Sequence, residues 1–303
     1  MPQKNQPLNS PHFSAGEIGR AMSKEIWPNF FIVGAPKAGT TSLYNYLRRT
    51  PGVYMSPMKE PRYFTTINPV EVTAMPPVRD RAKYLRLFQG AKDAVAIGEA
   101  SVTYLRDPET PRRIHDAVPD ARIIVLLRDP VERAFSDYLM HVREGWQTLS
   151  FQGALRTDLY LEKGFYAQQT KRYLDIFGPE RVKIVIFEEF IQDIEGAVSD
   201  ILKFLGVDSQ PIVPVKTAYN AFAIPRARWA YRIFGSRWAR RAARALMPAP
   251  LRMLVKERIL LKQVSKPAML QEARKFLEDL YRDDVRKLEE ILGRALPWPL
   301  ARH

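Results

Sequence analysis

The residues best suited to chemistry in this sequence lie in one short segment, residues 34–42 (GAPKAGTTS). An apolar run at 30–33 precedes the segment and an amphipathic stretch follows it, which predicts a strand, a loop and a helix. A glycine loop at a helix N-terminus directs unpaired backbone N–H groups at an anion such as phosphate. Thr40, Thr41 and Ser42 add hydroxyl donors, and we expect one of them to cap the helix.

The position of Lys37 distinguishes this loop from that of nucleoside-triphosphate enzymes. Their pattern is G-x-x-x-x-G-K-[ST], with the lysine directly after the second glycine. Gly34 and Gly39 have that spacing, but Thr40 stands in place of the lysine and Lys37 lies within the loop. The dinucleotide pattern G-x-G-x-x-G is also absent. A Gly/Pro turn without a ligand is the alternative, and the lysine and hydroxyls favour an anion site.

A second candidate anion site follows the apolar run 122–127. Arg128 leaves the predicted strand, and Ser136 lies one to two turns into the predicted helix, so both can face one ligand. An arginine fork with a hydroxyl suits a second phosphate group. Alternatively, Arg128 pairs with a nearby carboxylate and Ser136 packs.

Together the two motifs are more specific than either alone. P-K-x-G-T-T-S-L, followed about ninety residues later by R-D-P-x-x-R-A-x-S-x-Y, resembles the sulfotransferases that use 3′-phosphoadenosine 5′-phosphosulfate (PAPS), and most of all their heparan-sulfate-type and bacterial branch. The resemblance covers residues 29–205. It implies that the first motif binds the 5′-phosphosulfate and the second the 3′-phosphate. The implied donor-binding residues are Lys37, Ala38, Gly39, Thr40, Thr41, Ser42, Arg128 and Ser136. Lys37 would neutralise charge as the bond to sulfur breaks.

The segment 58–64 (MKEPRYF) resembles the K-E-P-x-F-F segment of the same branch. That resemblance implies that Glu60 is the general base for the acceptor, and Lys59 is a candidate acceptor contact. Burial would raise the pKa of Glu60, whereas Lys59 and Arg62 would lower it. The alternative is that Glu60 only pairs with Lys59 or Arg62 on a loop.

The segment 98–104 (GEASVTY) departs from the family's E-K-S-P-x-Y, because Ala100 replaces the lysine and Val102 the proline. Glu99 therefore either orients groups in the site or pairs locally. Tyr166 lies in a stretch that resembles the family's G-x-Y, and it either faces a ligand or packs.

Two further residues are candidates for ligand contact. His141 follows the second motif on its predicted helix and is either an acceptor contact or a structural residue. Arg226 belongs to a late basic loop that resembles the one closing over the nucleotide, and it is a candidate phosphate contact.

The elements that must position these residues alternate along the chain. Val- and Ile-rich runs at 30–33, 95–97, 122–127 and 182–187 predict buried strands. Helical patterns cover about 40–49, 80–88, 109–117, 131–144, 166–177 and 194–205. This alternation predicts an α/β fold, a P-loop-like parallel sheet with helices on both faces. Ligands then sit at the carboxyl ends of the strands, where both motifs lie.

Composition bounds the rest of the molecule. The 303 residues suggest one domain: a flexible lead-in at 1–26, a PAPS-binding core at 27–215, and a basic helical part at 216–303 that closes with a helix at about 268–292. The absence of cysteine excludes disulfides, Cys-metal sites and a thiol nucleophile. No long apolar run or signal-peptide pattern occurs, so we expect a cytoplasmic protein.

The net charge of +14 implies an anionic partner, and much of it lies in residues 226–262. This segment could contact the inner face of an anionic membrane, line a groove for an acidic glycan, or form a packed helix with a solvated arginine face.

These features predict a metal-free PAPS-dependent sulfotransferase. Its acceptor would be a hydroxyl or amine of a glycan, glycolipid or small metabolite, with adenosine 3′,5′-bisphosphate as the other product. One alternative is a P-loop kinase or NTPase, which would require Mg²⁺ and the missing lysine. Another is a non-enzymatic protein that binds nucleic acid or an anionic polymer, which leaves both phosphate motifs unexplained; we expect no nucleic-acid partner.

Overall fold

A computed structural model describes residues 25–67, 76–144, 146–213, 223–225, 261–263 and 267–302. Within those ranges, every helix is too short or too polar to cross a bilayer. Over the same ranges, no group of three or more His, Cys, Asp or Glu side chains is arranged to hold a metal ion.

The core is a five-stranded parallel sheet. Its strands are β1 (Phe30–Gly34), β2 (Val53–Met55), β3 (Ala96–Ala100), β4 (Arg122–Leu127) and β5 (Val182–Ile186), in the order β2-β3-β1-β4-β5. The central strand β1 is buried along its whole length. That burial matches its uninterrupted apolar sequence, because a parallel strand covered on both faces has no polar side.

Helices cover both faces of the sheet, which confirms the predicted fold class. They are α1 (Thr40–Leu47), α2 (Arg81–Leu85), α3 (Thr110–Ala117), α4 (Pro130–Arg143), α5 (Phe151–Ala154), α6 (Tyr166–Phe177), α7 (Phe187–Gln192) and α8 (Ile194–Leu205). Short 3₁₀ turns occupy Arg86–Phe88, Glu162–Gly164, Pro179–Arg181 and Pro299–Arg302. Helix α8 contacts both α1 and α7, and the closing helix described below contacts both α4 and α6.

In the sheet and the helices that cover it, three short elements were not predicted: β2, α5 and α7. Each has three to six residues, too few for a periodic pattern to register. The strand predicted at 182–187 is one residue too long, because β5 ends at Ile186 and Phe187 begins α7. Glu188 and Glu189 in the first turn of α7 favour a helix start at this point.

The C-terminal part contains the predicted helix, described below, and also a pair of short strands. Strands β6 (Ala223–Pro225) and β7 (Leu261–Gln263) pair antiparallel, and β6 contacts α4. Pro225 is incompatible with a helix interior but acceptable in a short strand at an edge. The rest of the basic segment 226–262, together with residues 1–24 of the lead-in, lies outside the described residues.

The closing helix is present as α9 (Gln271–Leu292). Asp284 on this helix accepts hydrogen bonds from the backbone N–H groups of Tyr166, at 2.6 Å, and Ala167, at 3.2 Å. A carboxylate at the first turn of α6 complements the positive end of that helix. Helix α9 therefore fixes the start of α6, next to the residues that border the cleft described below.

We expect Gly98→Ala to lower the free energy of unfolding by about 3 kcal/mol, because it overpacks the core. A Cβ at position 98 would lie 2.2 Å from the buried Phe30 ring. Gly293→Ala is the matched control, since Gly293 has φ +64° but open space around it, and left-handed strain alone costs about 1 kcal/mol. Denaturant unfolding checks both variants, and equal losses would contradict this packing argument.

Candidate active site

A cleft of about 430 Å³ opens at the carboxyl ends of β1, β3 and β4. Nine of the predicted residues line it: Lys37, Gly39, Thr40, Thr41, Ser42, Lys59, Glu60, Arg128 and Ser136. They come from three separate stretches of the chain. Because the carboxyl ends of parallel strands meet at one edge of the sheet, the fold brings both anion-binding motifs and the candidate base into one cavity.

The loop after β1 is closed by backbone conformation rather than by a hydroxyl cap. Gly39 is the N-cap of α1 with φ +89°, and no side chain hydrogen-bonds to this described helix end. The expectation that Thr40, Thr41 or Ser42 caps the helix was therefore wrong. The left-handed conformation of Gly39 makes the cap, and the first turn carries no acidic residue. This helix end is thus available to an anion.

Lys37 extends from the loop toward α4. Its Nζ lies 3.4 Å from the Sδ of Met140, and its backbone is left-handed, with φ +69°, a conformation that non-glycine residues rarely adopt. Burial lowers the pKa of Lys37 to about 8, opposed by the charge of Asp137 and assisted by Arg143 and Arg128. The ammonium is consequently charged at neutral pH but held less favourably than in water.

Arg128 connects the second motif to the first. One guanidinium nitrogen, Nη1, donates to the backbone oxygen of Lys37 at 3.2 Å, and the guanidinium lies 4.7 Å from the Phe187 ring centroid. Its Nε is buried and has no hydrogen-bond partner among the described residues. An unsatisfied buried donor is costly, so this nitrogen is available to a ligand.

Ser136 lines the same cleft from α4. This helix begins directly after Arg128 because Asp129 caps it, accepting from the N–H groups of Val131 and Glu132. The short turn between β4 and α4 brings Arg128 and Ser136 to the same cleft.

Glu60 both lines the cleft and pairs with its neighbours. Its carboxylate accepts from Lys59 Nζ at 3.1 Å and from Arg62 Nε and Nη2 at 3.1 and 2.8 Å. Burial raises the pKa of Glu60, but the charges of Lys59 and Arg62 outweigh burial and hold it below its usual value. The carboxylate is therefore ionised at neutral pH and can accept a proton.

Sequence reasoning missed several residues that line the cleft: Arg62, Arg106, Asp137, Arg143 and Lys163. The only available signal was proximity, since each lies beside or within a quoted motif or on a neighbouring loop. Asp137 Oδ2 forms an ion pair with Lys163 Nζ at 2.9 Å and a second one with Arg133 Nη1 at 3.4 Å. Among the described lining residues, seven lysines and arginines face two carboxylates, so the cavity suits an anion.

Three candidate substrate contacts are buried and are not among the residues that line the cleft, so the structure favours the local or packed alternative for each. Glu99 is 0% exposed, bound by three hydroxyl groups. His141 is buried, with Nδ1 2.9 Å from the Tyr160 hydroxyl and its ring near Trp146. Tyr166 is also fully buried, near the Trp298 ring. In each case tertiary packing turns the side chain into the core.

Two other predicted contacts have different outcomes. Ala38 packs in the core with 0% exposure, so its side chain does not border the cleft. Arg226 lies outside the described residues.

Comparison with known proteins agrees with the geometry. The model of the Sulfotransferase family matches residues 28–211. Human carbohydrate sulfotransferase 15 is 28% identical over 254 residues, covering 62% of this chain and 45% of that protein. Heparan sulfate glucosamine 3-O-sulfotransferase 6 of Mus musculus is 30% identical over 216 residues, covering 66% and 60%. The chain spans about half the length of the first of these relatives.

One solved structure matches this chain over a larger share of both proteins than these two relatives do. The crystal structure of a sulfotransferase from Alicyclobacillus acidocaldarius is 35% identical, with a TM-score of 0.68, and the match covers 89% of this chain and 98% of that one. The family match spans more than half of the chain, and it includes both anion-binding motifs and Glu60. This chain belongs to the sulfotransferase family.

Proposed function

We propose that this protein transfers the sulfuryl group of PAPS to a hydroxyl or amine of a glycan. The observation that carries the proposal is the meeting of Lys37, Arg128, Ser136 and Glu60 around one cleft. The donor has a phosphate group on both the 5′ and the 3′ position of its ribose, so it requires two separate anion sites. The acceptor requires a base in the same cleft.

The chain's own donors fit such a nucleotide. The N-terminus of α1, which has no side-chain cap, and the hydroxyls of Thr41 and Ser42 suit the 5′-phosphosulfate. Arg128, with its unpartnered buried Nε, and Ser136 suit the 3′-phosphate. Lys37 lines the same cleft, and its backbone oxygen accepts from Arg128 at 3.2 Å, so the first set contacts the second.

Bound PAPS would supply an activated sulfuryl group and leave as adenosine 3′,5′-bisphosphate. Glu60, held ionised by Lys59 and Arg62, would take the proton from the acceptor hydroxyl or amine as its oxygen or nitrogen attacks sulfur. Lys37 would stabilise the charge that develops on the departing phosphate oxygen. Fixed charges of this kind stabilise a transition state because they need no reorganisation during the reaction.

A glycan is the acceptor class that the relatives' names favour, since they are carbohydrate and heparan sulfate sulfotransferases. The cleft lining also includes the partly exposed side chains of Lys59, Arg106 and Arg143, whose donors can bind sugar hydroxyls or acidic groups.

Calorimetric titration tests the donor site. We expect adenosine 3′,5′-bisphosphate to bind without metal and more tightly than ATP with Mg²⁺. Tight binding of ATP with Mg²⁺ alone would reject the proposal in favour of triphosphate chemistry. Sulfuryl transfer from PAPS to a panel of glycans then tests the acceptor.

Arg128→Lys should weaken binding of adenosine 3′,5′-bisphosphate roughly ten- to a hundredfold, because lysine cannot reproduce the guanidinium fork. Adenosine 5′-phosphate, which lacks the 3′-phosphate, should bind the variant and the parent alike. Arg181→Lys is the matched control, since Arg181 forms an exposed ion pair with Asp120 outside the cleft. Equal weakening for both nucleotides would show that Arg128 does not read the 3′-phosphate.

A further inference from the structure

Glu99 forms the centre of a buried hydrogen-bond network at the end of β3. Its Oε1 accepts from the hydroxyls of Tyr84 at 2.8 Å and Tyr104 at 2.9 Å, and its Oε2 accepts from Ser101 at 2.8 Å. The carboxyl group is 0% exposed. A buried carboxylate requires such donors. Here three hydroxyl groups from two parts of the chain donate to it, so Glu99 connects α2 with the segment after β3.

Two of these hydroxyls also bind the loop that carries Glu60. Ser101 Oγ accepts from the backbone N–H of Arg62 at 3.1 Å, and Tyr104 Oη accepts from the N–H of Phe64 at 3.2 Å. Each hydroxyl accepts from a backbone N–H through a lone pair, which leaves its own hydrogen for Glu99, to which both hydroxyls donate. Both relays therefore run from the loop backbone through a hydroxyl to Glu99.

The loop held in this way has an unfavourable backbone conformation. Glu60 and Arg62 have φ values of +63° and +55°, in the left-handed region that non-glycine residues rarely adopt. Such conformations persist only where the surroundings determine them. The surroundings here are the end of β3, where Ala100 O accepts from Glu60 N at 2.9 Å, and the two relays from Glu99.

We propose that Glu99 is a positioning residue that holds the segment 60–64 in the conformation that points Glu60 into the cleft. Glu99 does so through Ser101 and Tyr104, without touching a substrate. The expected effect on turnover rests on the proposed sulfuryl transfer with Glu60 as base. The expected effect on the conformation of the loop does not depend on that proposal.

Tyr84 provides an internal comparison. It donates to the same carboxylate oxygen as Tyr104, but its hydroxyl has no hydrogen bond to segment 60–64. Tyr84→Phe therefore removes one hydrogen bond to Glu99 and leaves both relays intact. Ser101→Ala and Tyr104→Phe each remove one hydrogen bond to Glu99 and one relay.

The test compares Glu99→Gln, Ser101→Ala, Tyr104→Phe and Tyr84→Phe with the parent protein. We expect the first three to lower kcat roughly ten- to a hundredfold, since small displacements of a catalytic group have effects of this size. The KM for PAPS and the affinity for adenosine 3′,5′-bisphosphate should not change. Tyr84→Phe should keep the parent kcat. Equal kcat losses in Tyr84→Phe and Ser101→Ala, or an unchanged kcat in Glu99→Gln, would overturn the proposal.

Backbone amide hydrogen exchange of residues 60–64 separates this inference from the proposed function. Exchange should accelerate in Ser101→Ala and Tyr104→Phe, and not in Tyr84→Phe, whether or not the parent protein transfers a sulfuryl group. Should Glu99→Gln fail to fold, the two relay variants carry the test. Similar exchange in all variants would overturn the positioning role, even if sulfuryl transfer is demonstrated.

Discussion

Lys37→Met is expected to lower kcat for sulfuryl transfer by about 10²–10³-fold, the usual effect of removing one preorganised electrostatic group. Methionine preserves the length of the side chain and its packing near Met140, but it removes the charge that would meet the departing phosphate. Rates at saturating PAPS measure the effect. Lys171→Met is the control, because Lys171 pairs with Asp175 on the exposed face of α6. Turnover close to that of the parent would exclude Lys37 from this role.

The stability of the same variant shows whether lost activity reflects lost folding. The pKa of Lys37 falls from the ordinary 10.5 to about 8 on folding, so the unfolded chain binds the proton more tightly. The ionised lysine therefore opposes folding fully below about pH 8, and less as the pH rises toward 10.5. Lys37→Met should have a higher Tm than the parent at pH 7, and this difference should shrink at pH 10. A lower Tm at pH 7 would contradict this reasoning.

The ionisation of Lys37 should also be visible in the pH dependence of kcat/KM. In the free enzyme, loss of the Lys37 proton near pH 8 should lower kcat/KM on the basic side, since this ratio reports the free enzyme's ionisations. The basic limb should be absent in Lys37→Met.

Glu60→Gln is the second substitution with a large expected effect. Its kcat should fall roughly 10²–10⁴-fold, because a positioned general base contributes a factor of this size. The amide keeps the size of the side chain but cannot take a proton. Calorimetry should find unchanged affinity for adenosine 3′,5′-bisphosphate, because the two anion sites lie on other loops.

Glu132→Gln is the matched control for Glu60→Gln. Glu132 is also partly buried and paired with an arginine, Arg274, at 2.6 Å, but it lies outside the cleft. Parent-like turnover in Glu60→Gln would leave only the alternative that Glu60 is a structural partner of Lys59 and Arg62. Loss of nucleotide binding together with turnover would indicate that the ion pairs maintain the cleft.

The fold could be predicted from the sequence to a large extent because its signals are local. A parallel strand buried on both faces reads as an apolar run, and all four predicted strands are present. The motifs also lie at strand ends, where the topology of a parallel sheet gathers them into one site. Elements of three to six residues, such as β2 and α7, could not be predicted because they are too short for a periodic pattern to repeat within them.

The sequence by itself determined the parallel sheet, the two candidate anion-binding motifs and the likeness to sulfotransferases, since these depend on residue type and spacing along the chain. Only the tertiary structure decided the state of each group. The pKa of Lys37 depends on burial by distant helices, and that of Glu60 on the balance between burial and two cations. Glu99 turned inward because Tyr84, from α2, and two hydroxyls after β3 converge on it. Such contacts join residues far apart in the chain or depend on the exact path of a loop, and no local pattern encodes them.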